Sequence, residues 1–82
     1  MKILKFFTDT CMTCRMLSKI LDKIDVEVKS INAEDDLQKV DEYGLCTTPT
    51  LVFLDDEGKE VNRITGPTSQ NKIEEILKID IV

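Results

Sequence analysis

Ile3-Leu4-Lys5-Phe6-Phe7 places apolar side chains on both faces of one extended segment, Ile3 and Phe7 on one side and Leu4 and Phe6 on the other. A strand with one wet face alternates apolar and polar residues, so this one belongs inside a sheet covered on both sides. Helices must supply that cover. From Cys14 the apolar residues Met16, Leu17, Ile20, Leu21 and Ile24 recur at helical spacing and leave Arg15, Lys19, Asp22 and Lys23 outward, which predicts an amphipathic helix of about three turns. Val26-Glu27-Val28-Lys29 then alternates, and the segment Val26 to Ile31 reads as a second strand, parallel to the first across the helix and joined to it by a right-handed crossover.

The remaining segments continue this pattern. Asn32 is positioned to cap a short second helix with Glu34, Asp35 and Asp36 in its first turn, apolar contacts at Leu37, Val40 and Tyr43, and Gly44 just past its end. Thr50 to Leu54 is a continuous apolar strand, Asp55-Asp56-Glu57-Gly58 a turn, and Lys59 to Thr65 a more polar returning strand suited to a sheet edge. After the break at Gly66-Pro67, Thr68 or Ser69 can cap a closing helix that buries Ile73, Ile76 and Leu77. The order is βαβαββα in a single α/β domain spanning residues 1–82.

Composition narrows the function. A net charge of -5 argues against binding a phosphate backbone, which calls for clustered cations, so no nucleic-acid partner is expected. No apolar run approaches the roughly 20 residues of a membrane helix, and Met1 to Phe7 makes a poor signal peptide. The expectation is a cytoplasmic monomer with no membrane partner.

Chemistry concentrates at Cys11-Met12-Thr13-Cys14, between the first strand and the helix. Two thiols at this spacing can close into a disulfide and reopen, and a third thiol, Cys46, stands apart. The first turn of a helix presents unpaired N-H groups that favour a thiolate, typically by about 0.3 to 1 kcal/mol. Cys11, nearer those donors and nearer solvent, is assigned as the attacking nucleophile, and Cys14, one turn further in, as the resolving thiol. The chain contains no histidine, which removes Cys-His and Ser-His-Asp catalysis. It also weakens any metal site, since a structural zinc uses four ligands; a metal bridged across a dimer by two Cys11/Cys14 pairs is the arrangement left. No cofactor is expected beyond the Cys11-Cys14 disulfide itself.

With three landmarks in place, the chain resembles the thioredoxin superfamily from Met1 to about Leu77. Phe6 to Cys14 is similar to the family's active-site segment, Tyr43 to Thr50 to the segment ending in its cis-proline, and Gly66 to the glycine after its last strand. The resemblance implies a thioredoxin fold, a four-stranded mixed sheet flanked by three helices, without the extra N-terminal strand and helix of longer members. It also implies a cis Thr48-Pro49 bond against the CxxC loop, with Met12, Thr13, Thr48 and Pro49 contacting substrate and the Thr48 backbone bonding extended chains. Disulfide-containing proteins become the expected substrates, and a thioredoxin reductase-like enzyme the electron donor.

The departures carry information as well. Thr10-Cys11-Met12-Thr13-Cys14 replaces the family's Trp-Cys-Gly-Pro-Cys, and Thr13 restores an N-H and adds a hydroxyl beside the Cys11 thiolate. Lys5 stands where the family has a buried aspartate. If buried beneath Cys14 it could take the Cys14 proton or stabilise the thiolate; the alternative is a lysine that snorkels to the sheet edge. By the same resemblance Cys46 lies near the active site, either as a regulatory thiol or as a plain loop cysteine. A glutaredoxin is the nearest alternative, although Gly66-Pro67-Thr68-Ser69 replaces its Gly-Gly-x-Asp; a non-catalytic binding or redox-switch module, and a metal or thiol carrier, are the others.

Overall fold

The computed structural model describes residues 2–9, 11–45 and 47–81, side chains of residues 79–81 aside. Four strands, β1 (Lys2–Phe7), β2 (Glu27–Asn32), β3 (Thr50–Leu54) and β4 (Glu60–Thr65), form one sheet in the order β2-β1-β3-β4. β1 runs parallel to β2 and antiparallel to β3, and β4 returns antiparallel beside β3 at the sheet edge. Three helices complete the chain: α1 (Met12–Leu21), α2 (Leu37–Tyr43) and α3 (Gln70–Ile81). This is the thioredoxin fold, as expected from the sequence.

The two inner strands explain the apolar runs. Ile3, Leu51 and Phe53 face one layer, where Leu17 and Leu21 of α1 and Ile73 and Ile76 of α3 close over them. Leu4, Phe6, Val52 and Leu54 face the other layer with Ile31, against Tyr43 of α2 and Leu45. The rings of Phe6 and Tyr43 pack at a tilt of 57° with their centroids 5.7 Å apart, within the range of separations that aromatic pairs favour.

Local departures have local causes. The second helix starts at Leu37 under a cap from Asp36, whose Oδ1 accepts from the Lys39 N-H at 3.1 Å, and not at Asn32. Asn32 instead ends β2, and its Oδ1 accepts from the Glu34 N-H two residues on, so its side chain serves a turn rather than a helix. Glu34, Asp35 and Asp36 therefore precede the helix, and Gly44 closes it at φ 62°. Ser69 is the residue that caps α3, accepting from the Lys72 N-H. Met16 and Leu37, expected as core contacts, are exposed. The buried stripe of α1 runs through Cys14, Leu17 and Leu21, and a rotation of about 100° per residue turns Met16 off that line.

Candidate active site

β1 delivers the chain to α1 through a short loop, and the helix begins immediately after Cys11. Cys11 is the N-cap, extended at φ -87° and ψ 107°, and its own N-H is held by the Thr8 carbonyl at 3.2 Å. Cys11 and Cys14 are joined by a disulfide with their Cα atoms 5.2 Å apart. The Cys14 N-H donates to Cys11 Sγ at 3.1 Å, and the Thr13 hydroxyl lies 3.3 Å from the same sulfur. A disulfide sulfur carries no proton, so Thr13 is the donor in that pair. Cys11 is partly exposed, whereas Cys14 is buried in the first turn. Met12 projects into solvent between them.

The second segment arrives by strand register. Phe6 pairs with Thr50, so Pro49 lies at the end of the sheet where β1 turns toward Cys11. The Thr48-Pro49 peptide is cis; Pro49 is fully buried and Thr48 partly exposed. Gly66 donates its N-H to the Pro49 carbonyl at 2.8 Å, and Thr50 Oγ1 donates to the Thr47 carbonyl at 2.7 Å, which pins the loop from both sides. An open depression of about 370 Å³ runs from Thr8 and Thr48 toward Leu37 and Leu45. Thr8 also borders the cavity behind Cys11 and Cys14, so the two regions share an edge.

A family model described as a thioredoxin-like domain matches residues 2–79. This chain belongs to the thioredoxin-like family. The thioredoxin of Chlamydia caviae is 35% identical over 69 residues, covering 78% of this chain and 67% of that one. The SPbeta prophage-derived thioredoxin-like protein YosR of Bacillus subtilis is 27% identical over 78 residues, covering 95% of this chain and 96% of its own. Among solved structures, thioredoxin 1 of Thermosipho africanus superposes with a TM-score of 0.75 at 27% identity and full coverage of both chains. Family membership and the joined cysteines make this thioredoxin-like chain a thiol-disulfide oxidoreductase.

Lys5, the sequence's departure from the family, lies on the inner strand β1 and is only 9% exposed, which rules out a side chain that snorkels to the sheet edge. Its Nζ donates to Ser18 Oγ, and Ser18 donates in turn to the Cys14 carbonyl at 3.1 Å. Burial lowers the Lys5 ammonium below the ordinary lysine pKa, while the Asp22 carboxylate acts in the opposite direction. Ser18 was not legible as a site residue, although its position one turn beyond Cys14 was the available signal. Cys46, the candidate regulatory thiol, lies outside the described residues. Among the described residues no three His, Cys, Asp or Glu side chains converge as a metal site, and no helix is long and apolar enough to cross a membrane.

Proposed function

We propose that this thioredoxin-like oxidoreductase reduces disulfides in other proteins, with Cys11 as nucleophile and Cys14 as resolving thiol. The asymmetry between the two sulfurs carries the reading: Cys11 is reachable and accepts a backbone N-H and a hydroxyl, while Cys14 is buried behind it. Those two donors are already directed at Cys11 Sγ, so they would stabilise a thiolate formed there without reorganisation.

In the reduced enzyme the Cys11 thiolate attacks one sulfur of the substrate disulfide, forming a mixed disulfide and releasing the other substrate sulfur as a thiolate that takes up a proton. Cys14 loses its proton and attacks Cys11 Sγ, which releases the second substrate thiol and leaves the Cys11-Cys14 disulfide. Two electrons pass to the substrate. A dithiol-donating reductase then restores the enzyme, and the reading places this cycle in the cytoplasm with the chain acting as a monomer.

Thr48, Pro49, Met12 and Thr13 frame the approach to Cys11. The backbone of Thr48, whose carbonyl accepts from the Thr47 hydroxyl at 3.4 Å, would pair with an extended substrate segment, and the apolar depression beside it would take a neighbouring side chain.

The test is a Cys14→Ser variant incubated with an oxidised protein substrate. A stable mixed disulfide through Cys11, together with turnover by the wild type under a reductase or dithiothreitol, is the expected result. Absence of both the adduct and the turnover would sink the reading.

A further inference from the structure

Cys14, Ser18 and Asp22 recur every fourth residue along α1 and its C-cap, so they form a column one turn apart on one side of the helix. Lys5 lies beneath that column. Its amine donates to the middle member, Ser18, and it borders two cavities: one of about 270 Å³ that it shares with Cys14, Cys11, Asp9 and Arg15, and one of about 360 Å³ that it shares with Asp22. The Phe7 ring lies 5.5 Å from its Nζ. An ammonium has three protons to donate, and Ser18 accepts one of them.

The charges around this amine are few. From α1 come Asp22, at the far end of the column, and Arg15, at the rim of the Cys14 cavity; from the loop after β1 comes Asp9. The flanking strands place Ser30 and Leu51 beside Lys5, neither of them charged, and α3 contributes no residue to either cavity. In the oxidised protein the Asp22 carboxylate is the charge that favours the protonated amine.

We propose that Lys5 is the proton and charge partner of Cys14 during resolution, and that Ser18 is the positioning residue that holds its amine toward the Cys14 end of the column. The inference rests on the oxidoreductase reading and adds a residue to it. In the mixed disulfide Cys14 is a free thiol and Cys11 is bonded to substrate. When it has released its own proton to solvent, the Lys5 amine takes the Cys14 proton, giving an ammonium and a thiolate; the thiolate attacks Cys11 Sγ, and the Cys11-substrate bond breaks. The departing substrate thiolate takes a proton, either directly from Lys5 or from water that Lys5 then re-protonates, and the amine is neutral again. Electrons and protons balance within the enzyme-substrate complex.

Burial supports this by lowering the affinity of the Lys5 amine for its proton, which brings it closer to that of a thiol. The Asp22 carboxylate acts in the opposite direction and favours the ammonium. Reciprocity then requires the Cys14 thiolate to make Lys5 harder to deprotonate in the reduced protein, by as much as Lys5 favours the thiolate.

The experiment follows release of thionitrobenzoate from a mixed disulfide with Cys11, in single turnover, as a function of pH. Wild type should resolve it rapidly at neutral pH. Lys5→Met, which keeps the length and removes the charge, should be slower by about 100-fold at pH 7 and should recover above about pH 9, where a free thiol ionises unaided. Ser18→Ala should shift the profile in the same direction by less. A Lys5→Met profile that coincides with wild type would overturn the proposal while leaving the oxidoreductase reading intact; wild type that releases no thionitrobenzoate at any pH would overturn the oxidoreductase reading itself. A second measurement needs no variant: the Lys5 side-chain NMR titration should move to higher pH when wild type is reduced, and identical titrations in both redox states would also refute it.

Discussion

The Thr13 hydroxyl reaches Cys11 Sγ where the family's usual proline offers no donor at all. A hydroxyl aimed at a sulfur contributes little while the sulfur is neutral, but a hydrogen bond to a charged acceptor contributes about 1.5 to 3 kcal/mol. Thr13→Val keeps the branched shape and removes that donor. The variant should therefore alkylate at Cys11 about tenfold more slowly at neutral pH, with the pH midpoint of the iodoacetamide reaction moved upward, and an unchanged midpoint would show that the backbone N-H of Cys14 suffices alone. Lys5 makes a separate prediction about stability in the oxidised protein, where Cys14 cannot titrate. Its folded pKa lies below the unfolded value of about 10.5, so between the two the unfolded chain holds more protons and stability rises with pH. Below the folded pKa the buried ammonium is a cost. Lys5→Met should consequently raise the denaturation midpoint at pH 7, and that advantage should shrink as the pH approaches about 10; urea melts at the two pH values measure it. The resemblance to the family marked Lys5, which stands where other members carry a buried aspartate. The sequence could not show Ser18 or Asp22 as neighbours, because that required knowing which side of α1 rests on β1.

At the level of elements, Gly66 shows how one residue holds two segments in place. It follows β4 at φ 86° and donates its N-H to the Pro49 carbonyl, so the end of the edge strand is tied to the loop beside the cysteines. A Cβ built there meets nothing within 4 Å, and the cost of Gly66→Ala is therefore conformational rather than steric. Left-handed backbone costs a non-glycine residue about 1 to 2 kcal/mol, so the variant should melt lower by that amount. Amide exchange should accelerate at Gly66 and Thr50 before the core of β1 is affected; uniform acceleration would mean that the contact is not local. The strands were legible because Ile3 to Phe7 and Thr50 to Leu54 carry apolar residues on both faces, a pattern with few other destinations in a chain of this size. The start of α2 was less so. Asn32, Asp35 and Asp36 can all accept from a backbone N-H, and the choice among them depends on where β2 stops pairing with β1, which is a property of the sheet and not of the cap.

For the whole molecule, the decisive quantity is the balance between the disulfide and the dithiol. A protein that reduces others in a glutathione-buffered compartment must hold its own electrons less tightly than its targets do, and a two-electron couple changes its equilibrium tenfold for about 30 mV. The Cys11-Cys14 pair should therefore have a midpoint potential near or below roughly -220 mV, measured by thiol counting in defined dithiothreitol buffers with Cys46→Ser as the background. The residue-scale contacts give that number an internal check. Thr13 and, on the proposed reading, Lys5 both favour thiolates over the disulfide, so each makes the couple more oxidising than it would otherwise be. Removing either should move the potential more negative, by about 30 mV for each 1.4 kcal/mol of lost thiolate stabilisation. A wild-type value of about -120 to -180 mV would instead describe an oxidase or isomerase, in which these two donors dominate the equilibrium and net flux in the cell runs toward forming disulfides.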